Sequence, residues 1–326
     1  MCSLALLFLW LCLFTGTVDI PLGETWKTLT GQSTTNTIYS NIIMGLRVPM
    51  TFTALLTGAA LGVAGLLLQT TFNNPLAGPS ILGVSTGASF GVAVILLAAP
   101  GLAVSAGLSA LIGATAGAFA VMAILIGMSS FVRSSMMLLI IGIMVSYLTS
   151  SAISILNFYA TQEGVHSFVI WGLGNFSGVG EDNLLLYSLL IVLLLVWAML
   201  LAKPLNALLL GERYASDIGT DIRKSRTMIL LVSGLLTAVT TAFCGPIGFI
   251  GLVVPHIARL SLGTSNHKAL LPAVILTGSV TGLLTLWLSN LPGDTGTLPV
   301  NAITSIIGVP VVIYIILNRR RISYFN

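Results

Sequence analysis

Long stretches without a single Asp, Glu, Lys or Arg fill most of this chain, at 48–132, 134–162, 183–202, 227–258, 269–293 and 295–318. A charge at the centre of a bilayer costs about 2.5–3.5 kcal/mol on insertion scales, so apolar runs of this length mark membrane spans. A hydrocarbon core about 30 Å thick takes about 20 residues of helix to cross. The pattern therefore predicts ten spans, at roughly 1–18, 48–72, 80–99, 103–128, 135–158, 183–202, 227–243, 247–262, 269–289 and 300–317. Open β-structure is excluded because lipid offers no partner for unpaired backbone groups. The expectation is an all-α, polytopic membrane protein with about ten transmembrane helices in a single domain over residues 1–326.

Composition agrees and sharpens one point. The chain is 56% hydrophobic and only 7% charged, with a mean hydropathy of +1.04, values foreign to an ordinary soluble domain. Yet eight charged residues crowd between Lys203 and Arg226. This island (about 204–226) must lie in water, and it is large enough to be a docking surface. Orientation follows from the basic residues. With the first span running outward, Arg133, Lys203, Arg213, Arg223, Lys224, Arg226, Arg259, Lys268 and Arg319–Arg321 face the cytoplasm, leaving Lys27 and Arg47 outside. The positive-inside rule favours this arrangement, with a cytoplasmic C-terminus. The net charge of +4 thus reflects topology and does not imply nucleic acid. Met1–Phe14 lacks a basic leader and a small-residue cleavage site, so it reads as a retained helix rather than a signal peptide. Cys2, Cys12 and Cys244 lack metal or disulfide spacing and read as small core residues.

Small residues recur at four-residue spacing in Gly58–Gly62, Gly83–Gly87–Gly91, Gly113–Gly117 and Gly278–Gly282. Such steps let helix backbones approach closely, either within one bundle or between subunits. Leu56–Gly87 and Ser233–His256 share a plan of small-residue helix, polar or Gly/Pro break, and apolar restart. They run in opposite directions across the membrane, as inverted repeats do. Breaks at 73–80, 244–248 and 291–299 are candidate gate or pathway elements, or re-entrant packing.

The chemistry of the chain is mostly defined by what it lacks. It contains no HExxH or GxxxxGK[ST] sequence and no Cys/His cluster, so no metal, cofactor or enzymatic activity of its own is expected. His166, His256 and His267 stand isolated, and His256, after Pro255, reads as a loop or helix-start residue. Ion-coupled carriers keep an ionisable residue, usually a carboxylate, inside the bundle, and these spans are expected to bury none. Energy for transport would have to come from a partner, which weighs against a secondary carrier. The charged island offers an apolar stretch (Leu208, Leu209, Leu210), a break at Gly211, an adjacent acid and base (Glu212, Arg213), then Ala215, Ser216 and Asp217. Gly219 is placed to cap a helix. Two short helices around a glycine hinge would make a knob for a partner's groove. The alternative is a solvated loop.

Four stretches carry a resemblance: LRVPMTFTALLTGAALGVAGLLLQTTFNNPLAGPSILGVSTGA (46–88), LNALLLGERYASDIG (205–219), GPIGFIGLVVPHIARLSLGTSNHKALLP (245–272) and LPVNAITSIIGVPVVIYIIL (298–317). The chain resembles the permease subunit of the type II ABC importers for iron-siderophores, haem and vitamin B12. The resemblance implies a homodimer with one pathway between subunits, two cytosolic ATPases and an external, periplasmic or lipid-anchored, binding protein. It assigns 206–219 to the ATPase contact and places gate residues at Asn74, Leu76, Ser134 and Ser135. The chain departs from vitamin B12 members in carrying Met50 where they have a second Arg, and in lacking an Arg in LWLSNLPGD. The resulting expectation is a permease of the bacterial inner membrane importing an iron chelate (siderophore or haem), with vitamin B12 as the alternative. Arg47 is expected to be the main electrostatic contact for the binding protein.

Overall fold

The computed structural model describes residues 1–32, 36–98, 106–129, 131–132, 134–291 and 296–317. Arg133 and Arg319–Arg321, which help to orient the chain, and part of the 291–299 break lie outside the described residues. The elements in order are α1 (Cys2–Phe14), α2 (Leu22–Leu29), α3 (Thr37–Ile42), a π turn at Ile43–Arg47, α4 (Val48–Thr71), α5 (Val84–Ala93) with a π turn at Val94–Ala98, and α6 (Ala106–Ser129). There follow α7 (Ser135–Tyr159), α8 (Gln162–Gly172), α9 (Glu181–Leu200), α10 (Ala202–Leu209), α11 (Glu212–Asp217), α12 (Ile222–Cys244), α13 (Ile250–Leu262), α14 (His267–Ser289) and α15 (Val300–Leu317).

Six helices are long and apolar enough to cross a membrane: Thr37–Thr71, Gly107–Ser129, Ser135–Tyr159, Glu181–Leu200, Ile222–Cys244 and His267–Ser289. Four shorter apolar helices, Cys2–Phe14, Val84–Ala98, Ile250–Leu262 and Val300–Tyr314, account for the other expected spans. The ten-helix expectation and the all-α fold class therefore stand. Ile250–Leu262 has only 13 residues, about 20 Å at helical rise. Its short reach follows from the Gly245–Phe249 break, where Phe249 sits at φ 63 and helix cannot continue. His256 corrects the sequence reading. It lies inside α13 and is buried, with Pro255 one residue before it in the same helix.

The core is built on α4, which is 83% buried over its apolar window. Its closest neighbour is α14. A Cβ on Gly58 would collide with the Gly278 carbonyl, and one on Gly282 with the Ala54 carbonyl. Only glycine allows that approach, and with little hydrophobic drive between helices in lipid, such contact is what holds spans together. Gly87 and Gly91 meet Gly113 and Gly117 in the same way, joining α5 to α6. Gly83 is the exception in its series, lying at the turn before α5 and facing Gly142 and Ser146 of α7. These small-residue steps are thus packing sites within one subunit.

The pairings also repeat. α4 packs on α13 and α14, while α12 packs on α5 and α6, and α4 meets α12 between them. Equivalent helices of the two halves exchange partners in the same order, as an inverted repeat would. Helix ends at the charged-loop end are closed by side chains. Asp221 accepts from the Lys224 N–H at 2.9 Å to start α12, and Asn266 accepts from the Lys268 N–H at 3.0 Å to start α14.

Candidate functional site: the charged loop and two nearby turns

The charged island folds as two short helices around a hinge. α10 seats Ala202, Leu205 and Ala207 in the bundle against α4, α9 and α14, with Leu208 half-buried at the edge of the core. Leu209, Leu210, Arg213, Tyr214, Ser216 and Ile218 remain exposed, while Ala215 anchors α11. Gly211 joins the helices at φ 97, a conformation closed to most side chains. Gly219, at φ 87, ends α11 in a Schellman motif: its N–H donates to Ser216 O and the Thr220 N–H to Ala215 O, each at 2.9 Å.

Glu212 pairs in a way that its neighbour in sequence does not suggest. Its carboxylate receives Arg226 Nη2 of α12 at 2.7 Å and Ser135 Oγ of α7 at 2.8 Å. Arg213 is exposed to solvent, so the acid and base adjacent in sequence do not form the pair. Arg226 is buried, and its Nη1 also donates to Val132 O at 3.4 Å. One charged node therefore joins the exposed helix α11, the turn before α7 and the first turns of α12. A cleft of about 650 Å³ opens beside it, lined by Thr71, Asn73, Ser134, Ser135, Leu209 and Glu212 among others.

The turn at Asn74–Leu76 is held differently. After α4, Asn73 turns the chain at φ 45, and Asn74 Oδ1 accepts the Leu76 N–H at 2.9 Å, leaving Leu76 exposed. His256 Nε2 donates to Pro75 O at 2.8 Å, tying this turn to α13. Beside it, Arg259 donates to Gln69 Oε1 at 2.7 Å, and Gln69 Nε2 donates to Leu252 O at 3.1 Å. A third set links α4, α10 and α14. His267 Nε2 lies 2.8 Å from Thr70 Oγ1, and its Nδ1 lies 2.9 Å from Asn206 Oδ1. The expectation of spans free of buried ionisable groups is corrected here, since His256, Arg259 and His267 are all buried. No Asp or Glu is buried among the described residues.

Arg47 is also placed differently from its expectation. It is 8% exposed, and its guanidinium donates to Leu13 O and to Val18 O at the C-terminal end of α1. Gly16 lies flat against it, where a Cβ would meet the guanidinium. A guanidinium bonded to carbonyls of α1 and its following turn acts as a helix cap, so its charge is largely spent inside the chain. At that same end, Asn301 ties three segments together through Gly172 O at 3.1 Å, Pro246 O at 2.5 Å and the Gly248 N–H at 3.0 Å.

Sequence reading passes over Arg226, Gln69, Asn206, His256, Arg259, His267 and Asn301 as site residues. Their partners lie far away in sequence, so no local spacing announces them. A polar residue in an otherwise apolar run is the one signal available.

The fold is that of a polytopic helical membrane protein with an exposed two-helix loop. The chain belongs to the FecCD transport family, whose model matches residues 4–318. It is 34% identical over 317 residues to the vitamin B12 import system permease protein BtuC of Klebsiella pneumoniae, covering 97% of this chain and 92% of that one. The Shigella boydii protein of the same name is 34% identical over 319 residues, covering 98% and 94%. Among solved structures, a metal-chelate type ABC transporter in an inward-facing conformation superposes with a TM-score of 0.85 at 28% identity, covering 97% of each chain. PsaBC from Streptococcus pneumoniae shares the fold with a TM-score of 0.53 at 18% identity. The chain is thus a membrane-embedded permease of a type II ABC importer.

Proposed function

We propose that this permease carries a bulky metal chelate into the cell, with a corrinoid of the vitamin B12 type as the leading cargo. The observation that supports this cargo is the near full-length similarity to permeases named for vitamin B12 import. A ferric chelate, siderophore or haem, is the second reading. The metal-chelate type transporter supports it, as does Met50 in place of the second Arg of vitamin B12 members.

In this reading the chain sits in the bacterial inner membrane as a homodimer, with the α10–α11 end and the C-terminus in the cytoplasm. Two ATPase subunits dock on the exposed surface of Leu209, Gly211, Arg213 and Ser216, with Leu208 bracing the hinge from the core side. An external binding protein delivers cargo at the opposite end. ATP binding draws the ATPases together and moves α11, and the gates around Asn74, Leu76, Ser134 and Ser135 open and close in response. ATP is consumed on the partner, so the permease contributes positioning and a path, not bond chemistry.

The test is to purify the permease with its ATPase and binding protein. Cobalamin, ferric siderophores and haem are then compared for binding-protein-stimulated ATP turnover and uptake into proteoliposomes. Stimulation by cobalamin alone supports the leading cargo, and stimulation by a ferric chelate alone replaces it with the second.

A further inference from the structure

Deepening the importer reading, on which it rests, we propose that Arg226 is a positioning residue that ties the coupling helix to a gate segment. Through Glu212 it holds Ser135, and through Val132 it holds the other side of the same turn.

The geometry supplies each link. Glu212 is the first residue of α11, the helix that presents Arg213, Tyr214 and Ser216 to solvent. Ser135 is the first residue of α7, and Val132 precedes it in the turn from α6. Arg226 stands in the opening turns of α12, and its two terminal guanidinium nitrogens face the two sides of this arrangement, Nη2 to Glu212 at 2.7 Å and Nη1 to Val132 O at 3.4 Å. Ser135 Oγ reaches the same carboxylate oxygen at 2.8 Å, so both donors share one acceptor. A displacement of α11 must therefore either carry the start of α7 with it or break two charge-assisted bonds.

The surroundings make the link directional. Arg226 is 6% exposed while the Glu212 side chain is 46% exposed, so the cation is fixed in the bundle and the anion rides on the outer helix. The cleft of about 650 Å³ beside the node gives α11 room to move relative to the end of α4. The Asn74–Leu76 turn is bonded to α13 through His256, on a separate route. The node thus transmits motion of α11 to the Ser134–Ser135 segment first.

The test uses the assembled transporter, permease with ATPase and binding protein, in proteoliposomes. Cargo moved per ATP consumed is measured for wild type, Arg226→Gln, Glu212→Gln and Ser135→Ala. The same variants carry Ser134→Cys as a crosslinking probe in the presence and absence of nucleotide. Arg226→Gln is expected to lower cargo per ATP by about tenfold, because it removes both charge-assisted links. Its Ser134→Cys crosslinking should lose its dependence on nucleotide. Ser135→Ala deletes one hydroxyl without disturbing the buried cation, and is expected to lower cargo per ATP by about threefold. That variant keeps the test valid if Arg226→Gln does not assemble. A wild type that couples, alongside variants that couple equally well with wild-type nucleotide dependence, overturns the link alone. A wild type that turns over ATP without moving any chelate overturns the importer reading instead.

Discussion

Two buried arginines, Arg226 and Arg47, sit at opposite ends of the bundle and solve the same problem in different ways. Removing a guanidinium from water is costly, so each must be met by acceptors. Arg47 is met by main-chain carbonyls at the end of α1, Leu13 O and Val18 O. Arg226 is met by the Glu212 side chain, itself shared with Ser135. Carbonyls at a helix end are fixed by the fold, so Arg47 locks α1 onto the π turn that leads into α4. A carboxylate on a short exposed helix can move, so Arg226 can report that movement. The difference shows that burial and charge alone do not mark a functional residue. What matters is whether the partner belongs to a rigid element or a mobile one.

The largest effect tests whether the two ends lie on opposite sides of a membrane at all. Single cysteines at Ser177 and Thr220, in a background without Cys2, Cys12 and Cys244, should react with impermeant maleimide from opposite faces. Labelling of both from one face would remove the basis of the comparison.

Next in size is the mobile end. Gly211→Pro places a residue restricted to φ near −65° where the chain needs φ 97. Glu212→Arg sets a second cation beside buried Arg226. Uptake should collapse in both, while the permease still elutes as a folded species on size-exclusion chromatography. Wild-type uptake in either variant would take coupling away from this loop.

At the rigid end, Arg47→Ala removes charge-assisted bonds to carbonyls and should destabilise the protein by about 2–4 kcal/mol. The readout is a thermal midpoint lowered by several degrees, with the association rate of the binding protein and its salt dependence unchanged. A slower, less salt-sensitive association with an unaltered midpoint would restore Arg47 as a docking charge.

The smallest expected change is at the cap of α11. Gly219→Ala forces a β-carbon into φ 87 and should cost about 1 kcal/mol, confined to a short surface helix. Hydrogen exchange should quicken at Gly219 and Thr220 and stay the same in α4. Equal exchange in wild type and variant would mean that the cap does not limit opening of the helix.

Much of this architecture is legible in the residue pattern. The charge-free runs mark the spans because lipid penalises charge everywhere along a helix, so the signal is local and strong. The island at 203–226 and its hinge at Gly211 stand out for the same reason, and the four-residue glycine steps mark where helices touch. Arg47 shows the limit of such reading. Its position beside an apolar run is plain, but the carbonyls that enclose it belong to residues 29 and 34 positions away.

The sequence by itself determined that this chain is a helical membrane bundle and roughly where its ten apolar spans and its charged loop lie, because each of those depends on hydration summed over neighbouring residues. Only the tertiary structure decided which glycines pair, that Glu212 answers Arg226 and not Arg213, and that His256 holds the turn at Pro75. Those are contacts between groups far apart in the chain, set by how close the helices come, and no local pattern encodes that distance.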